Sequence, residues 1–164
     1  MSSSSRKHAE AFAARKHRHQ FRRDGVTPYV EHPKAVMAIL IGEFGVADLE
    51  VLAAALLHDT IEDTNTDYDE VSEGFGKRVA DMVAALTKDK RLPEARRERE
   101  YFVQLARAPL GAKLVKVADT LHNVRDSDGK HRPKAVRKAR LLLKTFRGIR
   151  GLERALAILK NEIS

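Results

Sequence analysis

The chain has 164 residues, 43% of them hydrophobic, and a formal net charge of +8 at pH 7 from 31 basic and 23 acidic side chains. This composition is ordinary for a globular protein and argues against a disordered chain, and the length suits a single domain with its own core. There is no cysteine, which excludes disulfides, thiol catalysis and thiolate zinc sites, so any metal must bind histidine nitrogen and carboxylate oxygen.

Membrane and export signals are not found in the sequence. No apolar run approaches the ~18 residues that a membrane span requires, and the serine-rich stretch Met1–Lys7 lacks the apolar region of a signal peptide. The expected location is therefore the cytoplasm.

Apolar residues recur with helical spacing along the chain, while strand signals are nearly absent. The first helix is predicted over residues 5–22, and Asp48 is a suitable N-cap for a helix from 49 to about 60. Asp67 is a suitable cap for a short helix over 68–73. Glycine and proline breaks separate the other segments, and the pattern predicts an all-α domain of about eight helices.

A largely buried helix is predicted for 112–124, and two further helices for 133–148 and 151–162. Apolar residues on these last two helices are expected to face inward: Leu141, Leu142, Leu143, Phe146, Leu152, Leu156 and Leu159.

The apolar run 51–57 leads directly into His58, Asp59, Glu62 and Asp63. At about 100° per residue, Glu62 lies about 40° from His58, and Asp59 and Asp63 lie about 100° and 140° away, provided that the helix continues. Buried carboxylates without partners are costly, and a divalent cation is the simplest compensation. A capped helix end followed by a solvated acidic loop is the alternative.

Charge is distributed unevenly along the chain. No lysine or arginine lies between Lys34 and Lys77, an interval that holds ten acidic residues, and basic residues dominate on both sides. A carboxylate zone flanked by cationic ones suits a metal site that faces a polyanionic substrate. A pI near 9.9 also makes nucleic acid a candidate partner, and a solvated basic surface is the simplest alternative.

Two distant residues could complete a metal site at His58 and Asp59. His32 lies in the first turn of its predicted helix, where a lone histidine is more often a packing or capping residue. Asp119 interrupts a buried apolar helix and shares a face with Asn123 at i+4, although an ion pair between Asp119 and a lysine is the alternative. The neighbours of His122 do not distinguish a ligand from a surface histidine, so His122 is not assigned.

Together, His32, His58, Asp59 and Asp119 would offer two nitrogen and two oxygen ligands, a set compatible with Mn²⁺, Fe²⁺, Co²⁺ or Zn²⁺. Such an ion lowers the pKa of a bound water from 15.7 towards about 7. Glu62 and Asp63 follow one turn later and could orient that water and transfer its proton. This arrangement fits hydrolysis of a phosphate ester.

The same residues resemble the H…HD…D signature of HD-domain phosphohydrolases. Longer stretches resemble the hydrolase domain of RelA/SpoT-type enzymes in residue order and spacing from about 8 to 126. These stretches are residues 20–33, 58–64 and 111–126, and the second of them matches an HDxxED motif. The helices over about 133–162 are compatible with this family. The remaining length leaves no room for a synthetase or regulatory domain, so 1–164 resembles a single-domain small alarmone hydrolase.

The resemblance implies a Mn²⁺-dependent 3′-pyrophosphohydrolase that converts (p)ppGpp to GDP or GTP and pyrophosphate. It assigns the metal to His32, His58, Asp59 and Asp119, and the attacking water and proton transfer to Glu62 and Asp63. It also implies that Arg22 lies against the guanine base with Arg23 nearby, and that Asn123 contacts the nucleotide. It assigns no individual residue of the basic run 130–150.

Three other functions remain open at this point. An adenine alarmone such as (p)ppApp, or NADPH, would use the same residues on the phosphate side. A non-catalytic RNA-binding module over residues 113–150 is disfavoured, because no aromatic residue lies within 130–140 and RNA recognition usually requires stacking rings. The expected partner is a small nucleotide rather than a membrane or a nucleic acid, and the sequence does not indicate the oligomeric state.

Overall fold

The computed structural model describes residues 3–164. They form ten α-helices: α1 Ser3–Lys16, α2 Glu31–Gly42, α3 Leu49–Leu57, α4 Thr60–Asp63, α5 Tyr68–Phe75, α6 Lys77–Ala85, α7 Glu94–Arg107, α8 Leu110–Arg125, α9 Arg132–Thr145 and α10 Glu153–Glu162. An isolated bridge between Phe21 and Pro28 is the only β-type pairing in this range. The predicted all-α class is confirmed. None of the described helices is long and apolar enough to cross a membrane.

The first helix is shorter than predicted, since α1 ends at Lys16 rather than at residue 22. His19 has a φ of 73°, in the left-handed region that cannot continue a right-handed helix. Beyond it, the backbone of Gln20 accepts a hydrogen bond from Tyr29, and the Gln20 side chain donates to the carbonyl of Asp63 at 2.8 Å. These distant contacts outweigh the local helix propensity.

The predicted helix over 49–60 is also interrupted. It ends at Leu57, and α4 begins at Thr60 as a separate turn. The His58 ring bonds to the carbonyl of Ala55 at 2.6 Å, and the Thr60 hydroxyl donates to the carbonyl of Leu57 at 2.7 Å. Side chains that bond nearby carbonyls in this way compete with helical hydrogen bonds. The rotation angles expected for a continuous helix therefore do not apply across the break.

Two helices that position motif residues lie at the centre of the fold: α3 leads into His58 and Asp59, and α8 carries Asp119 and Asn123. Helix α3 is buried from Val51 to Leu57 and packs against α1, α2, α6 and α8. Helix α8 packs against α2, α3, α6, α9 and α10. The predicted cap is confirmed at Asp48, which accepts from the amides of Glu50 and Val51, and at Asp67, which accepts from Glu70.

The C-terminal helices complete the core through Leu142, Phe146, Leu152 and Leu159, all of them buried. The predicted inward position of Leu141 is wrong, because this side chain is 44% exposed. Successive residues on a helix are rotated by about 100°, and α9 has few buried positions, Ala139 and Leu142 among them, so the turn from Leu142 back to Leu141 directs Leu141 to solvent.

Gly111 allows α8 to approach α3 and α6 closely. A Cβ at this position would lie 2.7 Å from both Met82 Sδ and Val51 Cγ2. We expect Gly111→Ala to lower the free energy of unfolding by about 1–3 kcal/mol through overpacking, as measured by urea denaturation. Gly74→Ala in α5, where a Cβ would meet no atom within 4 Å, is the matched control and should be neutral or stabilising. A Gly111→Ala protein with the wild-type midpoint would contradict this packing argument.

Candidate metal centre and active site

His32 lies in the first turn of α2 and is 1% exposed. Its Nε2 lies 2.9 Å from Oδ1 of Asp119 on α8, and its Nδ1 lies 2.7 Å from Nδ1 of His122. The packing of α2 against α8 therefore brings together two residues that are 87 positions apart in the chain.

His58 and Asp59 occupy the break between α3 and α4, and His58 is 3% exposed. Nδ1 of His58 donates to the carbonyl of Ala55, so Nε2 is the nitrogen that carries the lone pair when the ring is neutral. That nitrogen is buried and has no hydrogen-bond partner among the residues that the structure describes. It lies 3.0 Å from Oδ2 of Asp59 and 3.6 Å from Oδ1 of Asp119.

These atoms fit a divalent metal ion. His32, His58 and Asp59 each offer a ligand atom within 4.8 Å of the others, and Oδ1 of Asp119 contacts both rings. An unpartnered buried nitrogen facing carboxylate oxygens is otherwise costly, whereas neutral imidazole and carboxylate are the forms that bind metals.

Surrounding groups hold the two carboxylates in place. Tyr29 donates its hydroxyl to Oδ2 of Asp59 at 2.6 Å, and Asn123 donates to Oδ1 of Asp119 at 3.0 Å. Lys116 lies 2.8 Å from the other oxygen, Oδ2, of Asp119. The alternative of a lysine pair at Asp119 is thus realised, but it engages only the oxygen that faces away from the histidines. Such outer contacts orient metal ligands.

Electrostatics keep both carboxylates ionised. Burial would raise the pKa of Asp119, but Lys116 and the two histidines outweigh it and hold the pKa well below 3.8. Burial likewise opposes ionisation of Asp59, but the neighbouring His58 more than compensates, so the pKa of Asp59 is also lowered. Against burial, Asp59 and Asp119 in turn raise the pKa of His58, and a metal ion would replace the proton that these two carboxylates favour on this ring. Burial, and to a smaller extent the charge of Asp59, raises the pKa of Tyr29. The phenol therefore stays protonated and can donate its hydrogen bond.

Glu62 and Asp63 extend the site along α4. Ligand-type oxygens of Asp59, Glu62 and Asp63 lie within 4.8 Å of one another. Glu62 accepts a hydrogen bond from the amide of Lys88 at 2.7 Å, and its burial raises its pKa. Asp63 lies 2.7 Å from Nζ of Lys90. Both acids line a cleft of about 180 Å³ together with the four predicted metal ligands.

The residues predicted to bind substrate are distributed over two cavities. Asn123 lines the cleft, and its Oδ1 accepts from Nη2 of Arg22 at 3.2 Å. Arg22 also lies 2.8 Å from Asp126 and over the ring of Tyr29. Arg22 and Arg23 both line a larger cavity of about 420 Å³, which shares only His32 with the cleft. Arg23 is exposed and does not reach the cleft lining.

His122, unassigned from the sequence, contacts His32. If Nε2 of His32 is to face the site as a lone pair, its Nδ1 must donate to a neutral His122. Burial is the main cause that lowers the pKa of His122 to about 4, so His122 is neutral at pH 7 and can accept. The i, i+3 spacing from Asp119 was the available signal. The cleft also contains Lys88, Lys116 and Lys138; the expected lysine partner of Asp119 was the signal for Lys116, and no signal marked Lys88 or Lys138.

The chain is similar to known proteins over most of its length. A family model described as an HD domain matches residues 9–151. The human guanosine-3′,5′-bis(diphosphate) 3′-pyrophosphohydrolase MESH1 is 52% identical over 119 residues, which are 72% of this chain and 66% of that protein. The guanosine-3′,5′-bis(diphosphate) 3′-pyrophosphohydrolase of Aquifex aeolicus is 41% identical over 120 residues, 71% of this chain and 17% of that protein.

A solved structure described as a metazoan ortholog of SpoT that hydrolyzes ppGpp superposes with a TM-score of 0.85 at 34% identity, covering 99% of this chain and 97% of that one. The match to MESH1 spans slightly less than two thirds of the human protein. The family model covers far more than half of the chain, and this structural match extends over both chains almost completely. The chain therefore belongs to the HD-domain family, among the relatives of the (p)ppGpp hydrolases.

Proposed function

We propose that this protein is a metal-dependent (p)ppGpp 3′-pyrophosphohydrolase, which releases pyrophosphate and leaves GDP or GTP. The observation that carries the proposal is the convergence of His32, His58, Asp59 and Asp119 beside Glu62 in one cleft. The relatives named as guanosine-3′,5′-bis(diphosphate) 3′-pyrophosphohydrolases support this choice of substrate.

The four ligand residues would hold one divalent ion, and we propose Mn²⁺ among the ions that suit nitrogen and oxygen ligands. When bound, such an ion supplies Lewis-acid activation of a phosphoryl group and of water. The carboxylates of Asp59 and Asp119 provide the negative charge for this ion, and Tyr29 and Asn123 fix their orientation.

The other acids of the cleft would perform the proton transfer. In the proposed reaction, water attacks the phosphorus attached to the ribose 3′ oxygen, the bond between phosphorus and this oxygen breaks, and the 3′ oxygen takes up a proton. Glu62 accepts the proton of the water, since burial raises its basicity. Asp63, held by Lys90, orients the water. Asn123 contacts the nucleotide, and Arg22, with Arg23 nearby, lies against the base.

We further propose that residues 1–164 form a single phosphohydrolase domain, with its core motifs over about 8–126 and supporting helices over about 133–162. One continuous cluster of buried apolar residues extends from Ala9 to Leu159, which supports a single unit. A cytoplasmic location is part of the same proposal, because the substrate is a nucleotide.

A substrate comparison tests the function. Purified protein with Mn²⁺ is incubated with ppGpp, ppApp and NADPH in parallel, and products are separated by ion-exchange chromatography. We expect pyrophosphate and GDP from ppGpp, with no release after chelation of the metal. The two alternative nucleotides could present their phosphates to the same ligands, so the ratio of kcat/KM values decides between them. An absence of ppGpp turnover with every divalent ion tried would overturn the proposal.

A further inference from the structure

Three lysines from three parts of the chain face the cleft that holds the metal ligands. Lys88 follows α6, Lys116 lies on α8 and Lys138 lies on α9, and all three line the cleft with Asp59 and Glu62. None of them lines the larger cavity beside Arg22. The cleft is therefore cationic on the side formed by α8, α9 and the segment after α6.

Two of these lysines are already paired with carboxylates. Nζ of Lys88 lies 2.7 Å from Glu98, and Nζ of Lys116 lies 2.8 Å from Asp119. Both pairs are largely shielded from solvent, so their charges are substantially neutralised by contacts that the protein itself provides.

Lys138 differs from both. Among residues 4–164, no carboxylate oxygen lies within 4.0 Å of its ammonium group. Glu98 is near enough to favour the charged form, but its carboxylate is bound to Lys88. Lys138 as a residue is exposed, but the desolvation of its ammonium group at the cleft, followed by the charges of Lys88 and Lys116, lowers the pKa of Lys138, and Lys134 contributes in the same direction.

An anion in the cleft would relieve this repulsion. The reacting phosphorus must lie at the metal ligands, and the nucleoside is expected at the larger cavity on the far side of His32, beside Arg22. A second phosphate attached to the first is then directed to the cationic side of the cleft. A monophosphate ester, such as the 2′-phosphate of NADPH, has no group to place there.

On these grounds we propose that Lys138 binds the terminal phosphate of the substrate's 3′-diphosphate, and so selects a diphosphate over a monophosphate at the metal site. This inference rests on the proposed function, because it names the group that the same site recognises. The proposal gives one residue of the basic run 130–150 a contact with the substrate.

Direct binding of inorganic pyrophosphate tests the inference without turnover. Titration calorimetry of the Mn²⁺-loaded protein should show about tenfold weaker binding of pyrophosphate to Lys138→Gln, because one hydrogen bond between charged groups is lost at a partly exposed position. The substitution removes only the contact between Lys138 and a second phosphate beyond the metal site. Orthophosphate and GDP are not expected to make this contact, so both should bind within about twofold of wild type. Lys138→Arg should restore most of the pyrophosphate affinity.

The matched control is Lys134→Gln, one turn earlier on α9. Lys134 lines a surface groove with Lys138 but does not line the cleft, so its loss should leave pyrophosphate binding unchanged. Lys138→Met keeps the aliphatic stem but removes the charge, so it should weaken pyrophosphate binding as Lys138→Gln does. Thermal melting verifies that each protein is folded.

Several outcomes would overturn the inference: unchanged pyrophosphate affinity in Lys138→Gln, an equal loss for orthophosphate, a loss confined to GDP, or no pyrophosphate binding by the wild type. Failure of the proposed function is distinguishable from these, because it would appear as absent ppGpp turnover by the wild type while pyrophosphate binding still depended on Lys138. Where both substrates are turned over, Lys138→Gln should also lower kcat/KM for ppGpp relative to NADPH.

Discussion

Asp59→Ala is expected to lose metal binding and turnover together. The substitution removes a carboxylate that lies 3.0 Å from the unpartnered Nε2 of His58 and supplies part of the negative charge that an ion requires. Loss of the ion would remove several kcal/mol of transition-state stabilisation, which corresponds to a decrease in rate of at least about a thousandfold. Metal content per chain is measured by mass spectrometry after gel filtration, and the rate by pyrophosphate release.

Asp69→Ala is a suitable control for Asp59→Ala. Asp69 is an exposed acid in the first turn of α5, outside the cleft, and its removal changes the net charge by the same amount. This variant should keep both metal and activity. If Asp59→Ala retained one equivalent of metal, Asp59 would not be a ligand, and the site would have to be reassigned to the remaining three residues.

Glu62→Gln is expected to separate catalysis from metal binding. The amide keeps an oxygen that can accept from the amide of Lys88, so the fold and the metal content should match wild type. Turnover should fall by about 10²–10⁴-fold, because the group that accepts the proton is lost. Steady-state kinetics with saturating Mn²⁺ measure the loss, and Glu73→Gln, an exposed acid of α5, is the control. An unchanged rate would move the role of base to another residue.

The pH dependence gives an additional readout for Glu62. Burial raises the pKa of Glu62 above the ordinary value of 4.5. A protonated carboxyl cannot accept a proton, so the wild-type rate should decrease as the pH falls through this raised pKa, before an ordinary glutamate would be protonated. The residual rate of Glu62→Gln should lack this dependence when the metal remains bound.

Local patterns in the sequence were sufficient for the helical class and for several helix boundaries. The caps at Asp48 and Asp67 depend only on amides two or three residues away, which is why residue type and position predicted them. The break at His58 could not be predicted from periodicity, since hydrogen bonds to the carbonyls of Ala55 and Leu57 decide it. The end of α1 likewise depends on contacts of Gln20 with distant residues.

The sequence by itself determined which side chains can do the chemistry: His32, His58, Asp59 and Asp119 as ligand types, and Glu62 and Asp63 as acids, all named from residue type, spacing and family resemblance. Only the tertiary structure decided which of them meet, because periodicity indicates which residues share a helix face but not which helices pack together. The contacts of His122 with His32 and of Lys116 with Asp119, and the position of Lys138 in the cleft, follow from the packing of α2, α8 and α9.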